Sequence, residues 1–414
     1  MKIKIDRSSL NDWLVYCGVF LYIVVSILTT TFFSKYIPGS FVHLISILSI
    51  FLISLHNIIV RKIDFSVFGA AFTLGIMSLL IYFSIGSFQN YIYSLIIIFL
   101  LKDFDFEKLV KFILPVIISI FIFIILSSKL GIIQDYIEIS ATRIRHYLGF
   151  RYSLFPSTVM LNIVALYVYS KKEQITYKSL LVLTLAVLWI FWQTNSRLTA
   201  LSSMALILLA ILLKRFPKLL TRMRYLLIFL IPSYIFAAVA SYIVAGKYTS
   251  AGSGLRAVDN FLGGRIYLAS KSLYNYGFSW LGKNIQWVGN GLNADGQRST
   301  MSYLYVDNMY IQVLQKYGLL YLIIFVTLLT IALFILYRKK QYLLFLILSI
   351  LAVHAMIDDL TFNLYYNFFL VLLSLPFATN STKFEKETIN QLGGCFIGKE
   401  RFHDTFNQCY YSNL

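Results

Sequence analysis

Long apolar runs, separated by short polar segments, cover almost the whole chain. A run of about 18 or more apolar residues can cross a bilayer as a helix. The pattern predicts an all-α fold, a polytopic transmembrane helical bundle of about twelve spans. The expected spans lie near residues 13–33, 40–60, 65–86, 88–101, 109–128, 153–170, 178–194, 197–213, 225–245, 306–336, 342–357 and 360–378. Residues 193–197 predict a tight hairpin between the seventh and eighth spans.

One long polar segment, residues 246–304, interrupts this pattern and predicts a single large extracytoplasmic loop. It holds several charged side chains among glycines and aromatic residues. The chain then divides into N-terminal spans (1–178), a core that contains the loop (179–337), two final spans (338–379) and a polar tail (380–414). We expect the tail to be cytoplasmic.

Composition agrees with a membrane protein. The 414 residues are 59% hydrophobic and 13% charged, whereas a soluble domain carries about 25% charged residues. The net charge of +18 would suggest nucleic acid for a soluble protein, but in a membrane protein topology signals explain it. The first apolar run has no small-residue cleavage site, so we interpret it as a retained helix. Three cysteines predict no disulfide framework.

The distribution of lysine and arginine predicts which side each loop faces. The short loops on one side are clearly basic, which places both termini in the cytoplasm and the long loop outside. Arginine forms an unusually large share of the outer cations. Its planar fork suits phosphate or carboxylate better than the point charge of lysine. An anionic substrate on the outer face would explain the bias, and chance in a small sample is the alternative. The outer arginines are Arg143, Arg145, Arg151, Arg197, Arg256, Arg265 and Arg298.

Arg197 follows Thr194-Asn-Ser at the start of the eighth span. A charge at membrane depth usually faces a cavity or a partner, and a helix N-terminus attracts anions. The alternative is an interfacial arginine that extends its charge toward water.

Arg265 follows two glycines, Gly263 and Gly264, which allow the backbone to approach a ligand closely. The following residues have the pattern of an amphipathic helix. That helix could equally be a plain interfacial anchor.

Asp307 and Asn308 stand where the chain re-enters the membrane, and Tyr310 shares a helical face with Asp307. A carboxylate there could act as a general base. The alternative is that Asp307 caps the helix.

Three other groups are less distinctive. Arg143, Arg145 and Arg151 could contact phosphate or an acceptor glycan, or form a solvated amphipathic stretch. The pair Asp358-Asp359 is a rival base or a polar turn. Asp103-Phe-Asp105 resembles a metal-binding motif, but its cytoplasmic position favours a solvated turn. The histidines have no zinc-site spacing, so we expect neither a metal nor a cofactor.

Thr-Asn-Ser-Arg197, Gly-Arg265, Gly-Asn-Gly291 and Asp-Asn308 leading to Tyr-Gly318 together resemble the O-antigen ligase and Wzy-type polysaccharide polymerase family. The resemblance covers roughly residues 180–330. It implies that Arg197 and Arg265 bind the pyrophosphate of an undecaprenyl-linked sugar donor. Ligases typically carry His-Asn where this chain has Asp307-Asn308. The aspartate resembles capsular or exopolysaccharide polymerases instead.

The expected function is therefore a glycosyltransferase of the bacterial plasma membrane that polymerises lipid-linked repeat units. Asp307 would be the base, with Arg265 and Arg197 at the leaving pyrophosphate. Expected partners are the lipid-linked donor and acceptor, membrane lipids, a flippase and a chain-length regulator, with no nucleic acid. Further expected substrate contacts are Arg143, Arg145, Arg151, Arg256, Arg298, Asn308 and Tyr310.

Three alternatives stay open. A lipid-linked oligosaccharide flippase should have internal repeat symmetry and a charged cavity at mid-membrane depth. A ligase could use a different acceptor. A scaffold or sensor of a glycan-assembly machine would need no catalytic residue.

Overall fold

The computed structural model describes residues 7–60, 65–85, 90–140, 143–248 and 254–379. The expectation for the tail, residues 380–414, lies outside these ranges. The described chain is mostly helical. Its helices are α1 Arg7–Leu28, α2 Gly39–Val60, α3 Phe65–Ile85, α4 Asn90–Leu100, α5 Phe106–Lys129, α6 Phe155–Lys171, α7 Tyr177–Thr194, α8 Arg197–Arg215, α9 Leu219–Arg222, α10 Arg224–Leu227, α11 Ser233–Lys247, α12 Leu255–Leu262, α13 Arg265–Tyr276, α14 Met309–Lys316, α15 Leu319–Arg338 and α16 Tyr342–His354.

Short 3₁₀ helices connect or follow these elements. They are Phe32–Tyr36, Lys172–Gln174, Ile228–Leu230, Asp359–Phe362 and Phe368–Phe377. Two strands, β1 Ile137–Ser140 and β2 Arg143–His146, form an antiparallel hairpin in which Glu138 pairs with Arg145. This hairpin departs from the all-α prediction. Alternation along β2 places Arg143 and Arg145 on one face.

Six described helices are long and apolar enough to cross a membrane, namely α2, α3, α5, α7, α8 and α15. The segments Arg224–Leu230 and Ser233–Lys247 add a seventh if their 43° bend is accepted within one span. The protein is thus a helical membrane protein, with fewer such helices than the expected spans. Other apolar segments are shorter, including Asp12–Leu28, Tyr342–His354 and Phe368–Phe377.

The predicted hairpin at residues 193–197 is confirmed. Helix α7 ends at Thr194, and Asn195 adopts a left-handed conformation with φ of 53°. Asparagine tolerates this conformation better than most residues. Helix α8 then begins at Arg197.

The predicted span 306–336 is instead two helices, α14 and α15, which are separated at Tyr317-Gly318. Gly318 has φ of 93°. Residues 279–283 lie against this break: Leu319 N donates to Ser279 O at 3.0 Å, and Lys283 N donates to Gln315 O at 3.0 Å. These bonds satisfy backbone groups that an interrupted helix would otherwise leave unpaired.

Van der Waals contacts between closely packed helices hold the bundle together. The hydrophobic effect contributes little there, because lipid tails are as apolar as the side chains that pack between the helices. Helix α1 packs on α2 at Gly18, where an added methyl group would lie 2.7 Å from Ile53 Cγ1. Helix α6 is buried along most of its length and packs against α5, α7, α8 and α16. Helix α11 contacts α13, α14, α15 and α16, so it joins the polar segment to the bundle.

The two ends of α1 define the two ends of the bundle. Asp12, near its start, pairs with Lys108 beside the start of α5. Thr29, just after its last residue, accepts a hydrogen bond from Arg151. A helix of this length spans about 33 Å. We call these the Asp12 end and the Arg151 end.

The break at Gly318 gives a stability test. Replacement Gly318→Ala should lower the unfolding temperature in detergent, because a Cβ there would collide with the backbone of residues 280–282 at a positive φ. The backbone of Gly318, with φ of 93° and ψ of 167°, lies in a region that essentially only glycine adopts, and it alone costs another residue about 1–3 kcal/mol. Gly246→Ala in α11 is the matched control, since nothing lies within 4 Å of its added methyl. An equal unfolding temperature for both variants would contradict this account of the break.

Candidate active site

Arg265 is the first residue of α13 and is oriented by a capped helix start. Gly263 and Gly264 have φ of 73° and 82°, and glycine adopts this conformation without steric cost. The carboxylate of Asp259 in α12 accepts hydrogen bonds from Ile266 N at 2.8 Å and Tyr267 N at 3.3 Å. This cap satisfies two of the open N–H groups of α13. The Arg265 side chain therefore leaves a fixed backbone.

Asp307 directly precedes the cap of α14. Asn308 supplies that cap: its Oδ1 accepts from Ile311 N at 3.1 Å. Its Nδ2 donates to Ser241 Oγ at 3.0 Å and to Met356 O at 2.8 Å. The alternative that Asp307 caps the helix is wrong, because Asn308 occupies that position and the Asp307 carboxylate does not bind the helix start.

Arg265 and Asp307 form a buried ion pair. Arg265 Nε lies 3.4 Å from Asp307 Oδ2, and the two side chains are only 18% and 8% exposed. Arg265 Nη1 donates to Leu262 O at 3.1 Å. Within the described chain, Arg265 Nε and Asp307 Oδ1 are buried with no hydrogen-bond partner. An unsatisfied buried polar group costs about 1–3 kcal/mol, more when it is charged. Because Arg265 Nε faces Asp307 Oδ2 within the pair, the atom left without any partner in the described chain is the second carboxylate oxygen, Asp307 Oδ1.

Arg145 brings a second arginine toward this pair, since its charge acts on Asp307, Tyr152 and Tyr303. Its side chain is 13% exposed, with Nη1 3.9 Å from Glu138 Oε2. Its Nε is also buried without a hydrogen-bond partner in the described residues. Burial, and then the neighbouring charge of Arg143, lower the pKa of Arg145.

The electrostatics of the pair favour a charged arginine beside a carboxylate that binds protons readily. Burial has the largest single effect and lowers the pKa of Arg265, but Asp307, Tyr152, Asp358 and Tyr303 together outweigh it, and the net shift is upward. Burial raises the pKa of Asp307, and the opposing effect of Arg265 is smaller. Burial and then Asp307 raise the pKa of Tyr303 to about 12, so its hydroxyl stays protonated.

A network of hydrogen-bonded side chains near Asp307 connects four helical segments. His354 Nε2 lies 3.2 Å from Asp358 Oδ2, with both side chains 1% exposed. Ser202 Oγ lies 2.8 Å from His354 Nδ1, and Thr158 Oγ1 donates to Asp358 at 3.0 Å. Asp358 also raises the pKa of Asp307. The sequence patterns did not predict the contact between His354 and Asp358, although residues four positions apart often interact.

Asp359 occupies a separate position. Its Oδ2 accepts from Tyr305 OH at 2.7 Å and from Gln312 Nε2 at 2.9 Å. Burial, and then the carboxylates of Asp307 and Asp358, raise its pKa well above the usual range. Three acidic side chains, those of Asp307, Asp358 and Asp359, thus share one region.

The other expected site residues are dispersed. Arg151 donates from Nη2 to Thr29 O at 2.8 Å, and Arg298 Nη2 contacts Glu138 Oε1 at 3.0 Å. The hydroxyl of Tyr310 is buried and donates to Ala352 O at 2.7 Å, so we place Tyr310 in the core. Three arginines are exposed, and none of them is among the charges that most affect the pKa of Asp307. They are Arg143, Arg197 and Arg256.

Arg197 does not join the pair. Its helix starts against the segment that carries Tyr152, where Ser196 Oγ donates to Ser153 O at 3.4 Å. The Arg197 side chain is exposed.

A cavity of about 1380 Å³ at the Asp12 end is a different place from this site. Asp103, which lines it, pairs with Lys102 at 2.7 Å and accepts from Thr379 N at 2.6 Å. Asp105 caps α5 by accepting from Glu107 N at 2.8 Å. Both aspartates have structural partners. Among the described residues, no group of three or more His, Cys, Asp or Glu side chains could hold a metal ion.

Comparison of the chain with models of protein families, with curated proteins and with solved structures gave no match.

The raised pKa of Asp359 predicts a pH-dependent stability. A carboxyl group with a higher pKa in the folded state favours folding below its unfolded pKa, near 3.9, and loses that contribution as pH rises through the folded value. Asp359→Asn should therefore unfold at a higher temperature than the wild type at pH 7, and the gap should narrow toward about pH 4. Thermal unfolding in detergent measures this. Asp295→Asn, at a side chain 61% exposed, is the control. A wild type more stable than Asp359→Asn at pH 7 would contradict the prediction.

Proposed function

We propose that this protein is a glycosyltransferase that polymerises undecaprenyl-pyrophosphate-linked oligosaccharide repeat units. The observation that carries the proposal is the buried Arg265–Asp307 pair, in which Asp307 Oδ1 has no hydrogen-bond partner among the described residues. Arg145 adds a buried Nε that also has no hydrogen-bond partner in the described residues. A substrate that is anionic at one point and carries a hydroxyl group at another would complement these side chains.

The reaction divides these groups by charge. The acceptor hydroxyl oxygen attacks the donor anomeric carbon, and the bond from that carbon to the phosphate oxygen breaks. The bonding electrons leave with the lipid pyrophosphate, where negative charge develops. Fixed cations stabilise such charge because they need no reorganisation at the moment of reaction. Arg265, Arg145 and the exposed Arg197 are the candidates.

Asp307 is the candidate base that takes the proton of the acceptor hydroxyl. A carboxylate with a raised pKa is a better base near neutral pH than an ordinary one. The ion pair with Arg265 restrains it before substrate arrives. When the pyrophosphate binds beside Arg265, its negative charge offsets that of the guanidinium, and Asp307 gains basicity. Direct displacement of this kind inverts the anomeric centre.

The resemblance of residues 180–330 to the polymerase family supports the same assignment. With it come the finer expectations: about twelve spans, both termini in the cytoplasm, an extracytoplasmic segment 246–304 and a location in the bacterial plasma membrane. The Arg151 end would then face outward. We expect a flippase to deliver the donor and a chain-length regulator to act beside the protein, with no cofactor.

A lipid-linked oligosaccharide flippase is the second candidate. The cavity at the Asp12 end favours it, because transport needs polar space on both sides of the membrane. Much of the charge there is internally paired, as in Lys102 with Asp103 and Lys108 with Asp12. The Asp307 carboxylate oxygen that has no partner in the described chain, beside Arg265, favours the enzyme.

The test is polymerisation by the purified protein in liposomes that contain its native lipid-linked repeat unit. The wild type should give a glycan ladder on a gel. Arg265→Lys keeps the charge but loses the fork, and Asp307→Asn loses the base. Each should slow chain growth by about 10²–10³-fold, the usual cost of removing one transition-state contact.

Arg338→Lys is the matched control, because Arg338 is exposed at the end of α15 and should leave the ladder intact. Full chain growth in both site variants would contradict the proposal. Movement of labelled lipid-linked glycan across the vesicle membrane, without a ladder, would instead support the flippase.

A further inference from the structure

A second, smaller cavity of about 360 Å³ lies at the Arg151 end of the bundle. It opens where three segments meet. They are the 3₁₀ helix Phe32–Tyr36 after α1, residues 131–135 after α5, and the turn that carries Asp295. Its lining does not include Arg265 or Asp307.

Side chains that bind hydroxyl groups line this cavity. Tyr36 presents a ring that is 69% exposed. Lys35 Nζ lies 3.3 Å from Asp295 Oδ1 across the cavity mouth, and Gln134 and Asp135 complete the polar wall. An aromatic face beside paired donors and acceptors suits a sugar ring, which has an apolar face and a rim of hydroxyl groups.

One of the residues that line the cavity, Ser128, has a hydroxyl that is unsatisfied within the described chain. Ser128 is 4% exposed and lines the cavity. Its Oγ is buried with no hydrogen-bond partner among the described residues. A buried polar atom of this kind normally has a partner. A ligand hydroxyl in the cavity would supply it.

The cavity walls are held in place before any ligand enters. Asn293 Oδ1 accepts from Asp295 N at 3.0 Å and from Gln297 N at 2.8 Å, which fixes the turn. Gly296, with φ of 80°, leaves room for Gln134, whose Oε1 would be 2.6 Å from an added methyl group. Asp135 accepts from Lys129 Nζ at 2.7 Å. Preorganised walls reduce the entropy lost on binding.

One backbone segment, residues 147–152, connects this cavity to the candidate active site. Phe32 N donates to Gly149 O at 3.0 Å, and Leu292 N donates to Arg151 O at 2.8 Å. Leu148 N donates to Asp135 Oδ1 at 3.0 Å. Tyr152 lies at the end of this segment, close enough for the charges of Asp307 and Arg265 to affect its hydroxyl. An extended ligand could therefore follow this segment from one place to the other.

We propose that the cavity is a subsite for the growing polysaccharide, which holds one or two sugar residues away from the reacting end. The proposal rests on the proposed function for the source of the glycan. The lining favours a hydroxyl-rich ligand over a small anion, because its two carboxylates outnumber its one ammonium group. Binding in this subsite would retain the growing polysaccharide between successive additions of repeat units.

The test uses the full-length protein in detergent and a defined probe. The probe is the soluble oligosaccharide of one to three repeat units, released by mild acid from the native lipid-linked material. Saturation-transfer NMR gives its dissociation constant. Tyr36→Ala should raise that constant about tenfold by removing the aromatic face, within the usual range for aromatic contacts. Ser128→Ala and Asp295→Asn should each raise it severalfold.

Tyr225→Ala is the matched control, because Tyr225 is also 69% exposed but does not line the cavity. It should leave the dissociation constant unchanged. Unfolding temperatures identify any variant that fails to fold. If Tyr36→Ala or Ser128→Ala fails, the dissociation constant of Asp295→Asn, the smallest of the three changes, tests the proposal. In the liposome assay the cavity variants should give shorter ladders than the wild type and the Tyr225→Ala control.

The outcomes separate this proposal from the proposed function. Equal dissociation constants for the wild type and all three cavity variants, or no binding by the wild type, would overturn the subsite even if ladders form. Binding that depends on Tyr36, in a protein that forms no ladder, would support the subsite and contradict the polymerase.

Discussion

The buried ion pair between Arg265 and Asp307 is the constraint on which the site depends. Moving a charge from water into a protein interior costs several kcal/mol per ion, and an ion pair repays this only with good geometry and further hydrogen bonds. Here the geometry is supplied by two capped helix starts, through Asp259 for α13 and Asn308 for α14. The further hydrogen bonds are incomplete. A pair held firmly but left partly unsatisfied is better suited to a substrate than to stability.

The bilayer imposes the second constraint. Backbone groups at membrane depth must find partners within the protein. The break at Gly318 meets this rule because residues 279–283 supply hydrogen bonds to both sides of it. The same break turns α14 into a short helix whose start carries Asp307. The irregular segment and the buried carboxylate are thus consequences of one arrangement.

Sequence patterns predicted the helical class and the hairpin at residues 193–197. They also singled out Arg265 and Asp307, which the structure brings together in a buried ion pair. They could not predict the division of residues 306–336, because the bonds that stabilise it come from a segment 35 residues earlier. They also missed the β1–β2 hairpin, whose four-residue strands are too short for a clear alternation. Whether Asp307 or Asn308 caps α14 depended on Ser241 and Met356, which only tertiary structure brings near. Local pattern fixes elements well, but site geometry arises from distant contacts.

The most direct measurement is the affinity of the purified protein for undecaprenyl pyrophosphate, the leaving group of the proposed reaction. Charge-assisted hydrogen bonds contribute about 1.5–3 kcal/mol each. Arg265→Gln should therefore weaken binding by roughly 10–100-fold, while Arg338→Gln should bind like the wild type. Equal affinity of the wild type and Arg265→Gln would contradict the claim that the buried pair is a pyrophosphate site.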